Sequence, residues 1–171
     1  MPTALPQRLD LARLADARAV LEGELPLARL GRLAPLLARA DGVVRAHLEF
    51  ARDLKREVVR GRVESELILT CQRCFGEVKV QVVADVDLIR VADEDDAEAL
   101  ADGRDPLVAP NREVEMATLL EDELLLAMPI VPLHEGSAGC RRPEPGPATG
   151  AAAGGEVHPF AALAALKPKK N

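Results

Sequence analysis

Three stretches of this chain alternate apolar and polar residues with a period of two. Val44, Ala46, Leu48 and Phe50 are interleaved with Arg45, His47 and Glu49. Gly61, Val63, Ser65, Leu67 and Leu69 are interleaved with Arg60, Arg62, Glu64 and Glu66. Val78, Val80, Val82, Ala84, Val86 and Leu88 are interleaved with Glu77, Lys79, Gln81, Asp85 and Asp87. A period of two places one set of side chains on each face of an extended strand, so each stretch predicts a strand with one buried and one wet face. The connections between them are short, which antiparallel pairing tolerates and parallel pairing does not. The expected fold class is therefore α+β: a long-stranded antiparallel sheet, long enough to curl toward a barrel.

Elsewhere the period changes. From Glu115 to Ala127, Met116, Leu120, Leu124 and Ala127 form an apolar stripe and Glu115, Thr118 and Asp122 a polar one, which predicts the one main helix packed on the sheet. Pro129 stops it, and Pro132 keeps the next stretch extended. Short N-terminal helices are expected at Arg8 to Ala15 and Leu30 to Arg39, the second limited by Pro35, with a strand at Val20 to Leu25 between them. Ala92 to Asp105 reads as an exposed acidic loop with one helical turn at Ala97 to Ala101. Arg141 to Val157 is built of Pro, Gly and Ala and has too little apolar side chain to offset chain entropy. Residues 1–140 are thus expected to form a single domain, 141–157 a disordered linker, and 158–171 a short amphipathic peptide with a basic end, together making a flexible C-terminal tail. In that peptide Pro159 suits a first helical turn, and Phe160, Leu163, Ala164 and Leu166 gather toward one side.

Composition excludes several functions. At 171 residues, 48% hydrophobic, the chain can build one core but hardly two. No apolar run approaches the roughly 18 residues that span a bilayer, and the first residues lack a signal pattern. Three cysteines are too few for a disulfide framework, so a cytoplasmic protein with thiols or a metal is expected. Trp and Tyr are absent and only Phe50, Phe75 and Phe160 remain, which argues against base stacking on aromatic rings. There is no phosphate-binding glycine loop, no dinucleotide fingerprint and no nucleophile elbow. No small-molecule substrate and no membrane partner are therefore expected.

Cys71-Gln72-Arg73-Cys74 is the local motif with chemical force. Two thiolates two residues apart on a turn between strands aim at one point and form half of a tetrahedral zinc site. Cys140, the remaining thiol, and His134, in a Pro/Gly-rich stretch able to fold back, complete a Cys71, Cys74, His134, Cys140 set. Zinc, inert buried thiols and a redox pair compete for this turn, although a redox pair ordinarily sits where a strand enters a helix.

Charge is bipolar. Residues 1–62 carry 12 Lys and Arg against 8 Asp and Glu, a net of +4, and residues 63–171 carry a net of −10. If RNA binds directly, Arg45, Arg60 and Arg62 form the expected face, with Arg52 and Lys55 at the intervening turn, because alternate residues on paired strands share a face. Glu121, Asp122 and Glu123 diverge by about 100° each around a helix and cannot converge on one substrate atom, so they are read as surface or partner contacts. From Asp85 to Glu123, 14 acids face 3 basic residues, which leaves open an acidic adaptor that binds protein alone. A thiol- or metal-dependent enzyme using Cys71 and Cys74 is the further alternative.

Three blocks occur in a recognisable order: Leu69-Thr70-Cys71-Gln72-Arg73-Cys74-Phe75; Glu121 through Glu135 followed by Cys140; and Pro159 through Lys167. In combination they resemble the bacterial YceD family, over most of the chain from about Arg18 onward. The resemblance matches Cys71, Arg73 and Cys74 to the family's CxRC turn, Glu121, Asp122 and Glu123 to its acidic helix block, Pro129 and Pro132 to its paired prolines, and His134 with Cys140 to its late His and Cys. The longer spacing from His134 to Cys140 and the Gly/Ala linker depart from that pattern. The resemblance implies a non-catalytic role in the synthesis, processing or stability of large-subunit ribosomal RNA. The partner would be that RNA or its precursor particles, reached directly or through a ribosomal protein or nuclease, with Arg73 and Phe160 as further contact residues.

Overall fold

The computed structural model describes residues 5–100, 103–136 and 140–141. The chain is a mixed α and β fold whose frame is a five-stranded sheet. In chain order the elements are β1 (Arg8–Asp10), α1 (Leu11–Asp16), β2 (Val20–Pro26), β3 (Val43–Asp53), β4 (Arg56–Thr70), β5 (Glu77–Val91), α2 (Glu94–Glu98), β6 (Asp105–Val108), β7 (Glu113–Glu115) and α3 (Met116–Ala127). The sheet order is β2-β3-β4-β5-β6, and β1 pairs with β7 in a separate two-stranded ribbon.

The period-two pattern becomes the sheet as expected. Val44, Ala46, Leu48 and Phe50 of β3, Val59, Val63, Leu67 and Leu69 of β4, and Val78, Val82, Ala84, Val86 and Leu88 of β5 are buried in one core. The interleaved Arg, Glu, Lys and Asp residues face water. Gly61 sits in the middle of β4 with φ +152°, and a Cβ built there would lie 1.9 Å from the backbone oxygen of His47. The adjacent strand approaches too closely for any side chain.

Five features differ from the sequence expectation. The sheet does not close into a barrel: β2 and β6 lie at opposite edges. Its core face is covered by α1, which packs on β3 and β4, and α3, which packs on β4 and β5, so the sheet need not close on itself to bury that face. The pairing is also not wholly antiparallel, since β6 runs parallel to β5 after a crossover through α2.

The stretch expected as a helix from Leu30 to Arg39 instead forms two short 3-10 turns, Leu27–Arg29 and Ala34–Leu36. Leu27, Leu30 and Leu33 are at most 1% exposed, and their spacing of three suits a 3-10 geometry, in which residues three apart eclipse. The first helix, expected from Arg8, starts at Leu11. Arg8 to Asp10 pair with Glu113 to Glu115, and the Asp10 carboxylate caps the helix by accepting the Arg13 N–H at 3.0 Å. In the acidic loop the helical turn lies at Glu94–Glu98, earlier than expected, because Asp93 accepts the Asp96 N–H and acids favour a helix N-terminus.

The described chain stops at Arg141, so the expected linker 141–157 beyond it and the peptide 158–171, including Phe160, lie outside the described residues.

Gly61→Ala is expected to destabilise the domain by about 2 kcal/mol or more, since a strained φ and a backbone collision each cost on the order of 1–3 kcal/mol. A thermal melt of the variant beside the parent checks this.

Candidate metal centre

β4 and β5 form one hairpin whose last pair is Thr70 with Glu77. The loop at its tip, Cys71 to Gly76, closes by Cys71 N–H donating to the Gly76 carbonyl at 2.8 Å and Phe75 N–H donating to the Cys71 carbonyl at 2.9 Å. Phe75 takes a left-handed φ of 61° to complete the turn. Cys71 is fully buried and Cys74 half-buried. The segment after α3 then runs back along the loop, because Pro129 ends the helix and Pro132 holds the next residues extended. It is fastened by Gln72 N–H donating to the Pro132 carbonyl at 2.9 Å and by the Arg73 guanidinium donating to the Gly136 carbonyl at 3.4 Å.

This return brings His134 and Cys140 to the two turn cysteines. The ligand atoms of Cys71, Cys74, His134 and Cys140 all lie within 4.8 Å of one another. Cys71 Sγ is 3.7 Å from Cys140 Sγ, too far for a disulfide, and Cys74 Sγ is 3.5 Å from His134 Nδ1. A tetrahedral ion with bonds of about 2.3 Å to sulfur and about 2.05 Å to nitrogen sets S–S edges near about 3.8 Å and S–N edges near about 3.6 Å. Two edges of that tetrahedron are already at length, and the donor set fits a metal ion.

The tautomer of His134 is set by its other nitrogen. Nε2 lies 2.8 Å from the Glu77 carbonyl, an oxygen that can only accept, so Nε2 carries the hydrogen and Nδ1 presents its lone pair to the cysteines. Metal-binding histidines are ordinarily oriented by such a second bond. Burial acts to raise the Cys71 thiol, but backbone N–H groups of Cys74 and Arg73, together with bonds to His134, outweigh it and bring the thiol from 9.0 down to about 5. Cys140 goes the other way: burial first, then the bonds and charge of Cys71 and Cys74, push it up. Cys71 is therefore favoured as thiolate before Cys140, and a thiolate is the form that binds a cation.

The other expected contact residues are dispersed. Arg45, Arg60 and Arg62 do share the wet face of the sheet, but each is paired with a carboxylate on a neighbouring strand: Arg45 with Glu24 at 2.8 Å, Arg60 with Asp87 at 3.1 Å and Arg62 with Asp85 at 2.9 Å. Arg52 bridges Asp16 and Glu57, and Lys55 lies in the β3–β4 turn. The face is a chequer of both signs.

Among the acids on α3, Glu121 corrects the surface reading: it is 5% exposed. Its carboxylate accepts the backbone N–H of Arg32 at 2.6 Å and of Leu33 at 2.9 Å, and the Arg32 guanidinium at 2.8 Å. Burial opposes ionisation of Glu121, yet these bonds hold its carboxyl below the usual range. Asp122 takes the other arm of Arg32, while burial, with the Asp105 and Asp122 charges, raises Glu123. Sequence reasoning missed Arg32 and the Glu77 carbonyl. Neither had a signal: one is an ordinary surface arginine in the sequence, the other a backbone atom.

An α+β domain with a hairpin-tip Cys/His cluster is the class that fold and site define. The family model for "Large ribosomal RNA subunit accumulation protein YceD" matches residues 59–167, and the chain belongs to the YceD family. A relative of that same name from Haemophilus influenzae (strain ATCC 51907 / DSM 11121 / KW20 / Rd) is 30% identical over 132 residues, covering 76% of each chain. No solved structure matches.

Glu121→Ala leaves two backbone donors of the 3-10 region without their acceptor and is expected to cost about 2–3 kcal/mol, the range for hydrogen bonds to charged groups. The carboxyl titrates lower when folded, so its contribution is present above the unfolded value near 4.5 and fades as pH falls through the lower folded value. Urea melts between pH 3 and 7 should show a shallower acid loss in Glu121→Gln than in the parent.

Proposed function

We propose that the chain is a non-catalytic factor in biogenesis of the large ribosomal subunit, acting in the cytoplasm on the synthesis, processing or stability of its RNA, with a structural zinc ion at the hairpin tip. The observation that carries this reading is the family match spanning the hairpin tip, α3 and the residues beyond, in a family named for accumulation of large-subunit ribosomal RNA. The Cys71, Cys74, His134, Cys140 set supports the structural half. Four protein donors fill a tetrahedron and leave no position for a substrate or water, which is the pattern of structural zinc, whereas catalytic zinc keeps one position open. Three sulfurs and one imidazole suit zinc over harder cations. The ion would clamp the segment after α3 to the tip of the hairpin.

Contact with the RNA phosphates falls to Arg45, Arg60 and Arg62, with Arg73 at the clamp. Since the three strand arginines are each held by a carboxylate, binding to naked RNA is expected to be weak and steeply salt-dependent, with ribosomal protein of the precursor particle supplying the rest of the surface. Among the described residues no helix is long and apolar enough to cross a membrane.

Elemental analysis of protein purified without added metal should find one zinc per chain, lost in Cys71→Ser and in Cys140→Ser. A zinc content near zero in the parent removes the clamp. Purification of tagged protein after crosslinking in cells should recover precursors of the large-subunit RNA over those of the small subunit. Recovery of protein partners without ribosomal RNA would favour the adaptor reading, and turnover of a thiol substrate would favour the enzyme.

A further inference from the structure

Around the clamp the surface is unusually apolar. Ile130 is 97% exposed, Leu126 82%, Phe75 66%, Val131 57% and Leu133 40%. Five exposed large apolar side chains thus come from two short stretches, the tip loop and the residues flanking Pro129 and Pro132. The Gln72–Pro132 and Cys74–His134 contacts hold those stretches side by side. Exposed apolar groups scattered singly are ordinary, but a group gathered on one surface marks a site that something covers.

We propose that this surface is the seat of the chain's own segment Pro159 to Leu166. The described backbone ends at Cys140 and Arg141, with Cys140 Sγ 3.7 Å from Cys71 Sγ, so the C-terminal segment departs from the fold at the foot of the apolar surface. Arg141 to Val157 number 17 residues, and a Gly-rich chain of that length has a root-mean-square reach of roughly 23 Å, which corresponds to a local concentration on the order of millimolar at the surface. The segment on that tether is complementary. Phe160, Leu163, Ala164 and Leu166 share one side of a helix that Pro159 can start, and a helix this short needs a surface to persist. The basic end, Lys167, Lys169 and Lys170, is complementary in charge to Glu135, an exposed acid two residues beyond Leu133.

The extent of the family match points the same way. It begins inside β4 and runs through the hairpin tip, α3 and the apolar stretch to residue 167, immediately after the segment. The matched unit therefore contains the surface and its occupant together.

The absence of Trp and Tyr makes the test direct, because Phe160→Trp in the full chain places a single fluorophore on the segment. Its emission should lie at shorter wavelength than that of free indole and be shielded from acrylamide, independently of protein concentration. Ile130→Asp with Val131→Asp should return the emission to that of indole in water. Both positions are exposed, so far-ultraviolet circular dichroism should be unchanged, and Leu126→Asp repeats the test from α3 should the pair perturb the fold. Three results overturn the proposal. Water-like emission in the parent means the segment is not seated. Shielded emission that survives the patch substitutions means it sits elsewhere. Shielding that grows with protein concentration means the occupant is a second copy. None of these depends on RNA association or zinc content, so the outcome is separable from the function proposed above.

Discussion

The pairing of β4 with β5 is the constraint on which the rest of the protein depends. Thirteen register pairs, from Val58 with Ile89 to Thr70 with Glu77, run from the base of the sheet to its tip. At the base they bury Val59, Leu88 and their neighbours. In the middle they include Gly61, where β3 comes too close for a side chain. At the tip they hold Cys71 and Cys74 in a loop of fixed shape. A slip of one residue would turn every core side chain of the hairpin to water, and it would also swing both sulfurs away from His134. Core and site are thus set by one ladder.

The second half of the site depends on how the chain leaves α3. The helix is fastened on two sides: its apolar face against β4 and β5, and Glu121 against the 3-10 region at Arg32 and Leu33. That buried carboxylate accepts from two backbone groups and a guanidinium, and its burial is compensated for that reason. With the helix end placed and Pro129 and Pro132 restricting the backbone beyond it, the return to the hairpin tip needs only a few backbone bonds. His134 arrives with its ring oriented by the Glu77 carbonyl, a group belonging to the same hairpin.

The parts legible in advance are those governed by local periodicity or by residue chemistry. The alternation in β3, β4 and β5 marked the buried face residue by residue, since a half-buried strand must repeat every two positions. The stripe of Met116, Leu120 and Leu124 marked a helix, although Ala127 is exposed and Leu119 is buried in its place. The four candidate ligands could be named because only these types bind soft metals. By contrast, nothing near Arg8 says that Glu115 will be its strand partner, and nothing in a run of leucines at spacing three, broken by prolines, separates 3-10 turns from a helix. The arginine face was placed correctly on the sheet, but its partners Asp85, Asp87 and Glu24 sit across neighbouring strands, where register alone decides the pairing.

The amino-acid sequence by itself determined which residues face inward on the long strands, where the chain must turn, and which side chains can ligate. These are dictated by the two-residue repeat, by proline and glycine stereochemistry and by donor chemistry, all properties of neighbours in the chain. Tertiary structure alone decided that the sheet stays open with a parallel edge strand, that Glu121 is an internal bond and not a surface charge, and that Cys140 lies 3.7 Å from Cys71. Each of these joins residues far apart in sequence, and the energy that selects them is the burial and hydrogen bonding of the whole assembled core, which no local stretch carries.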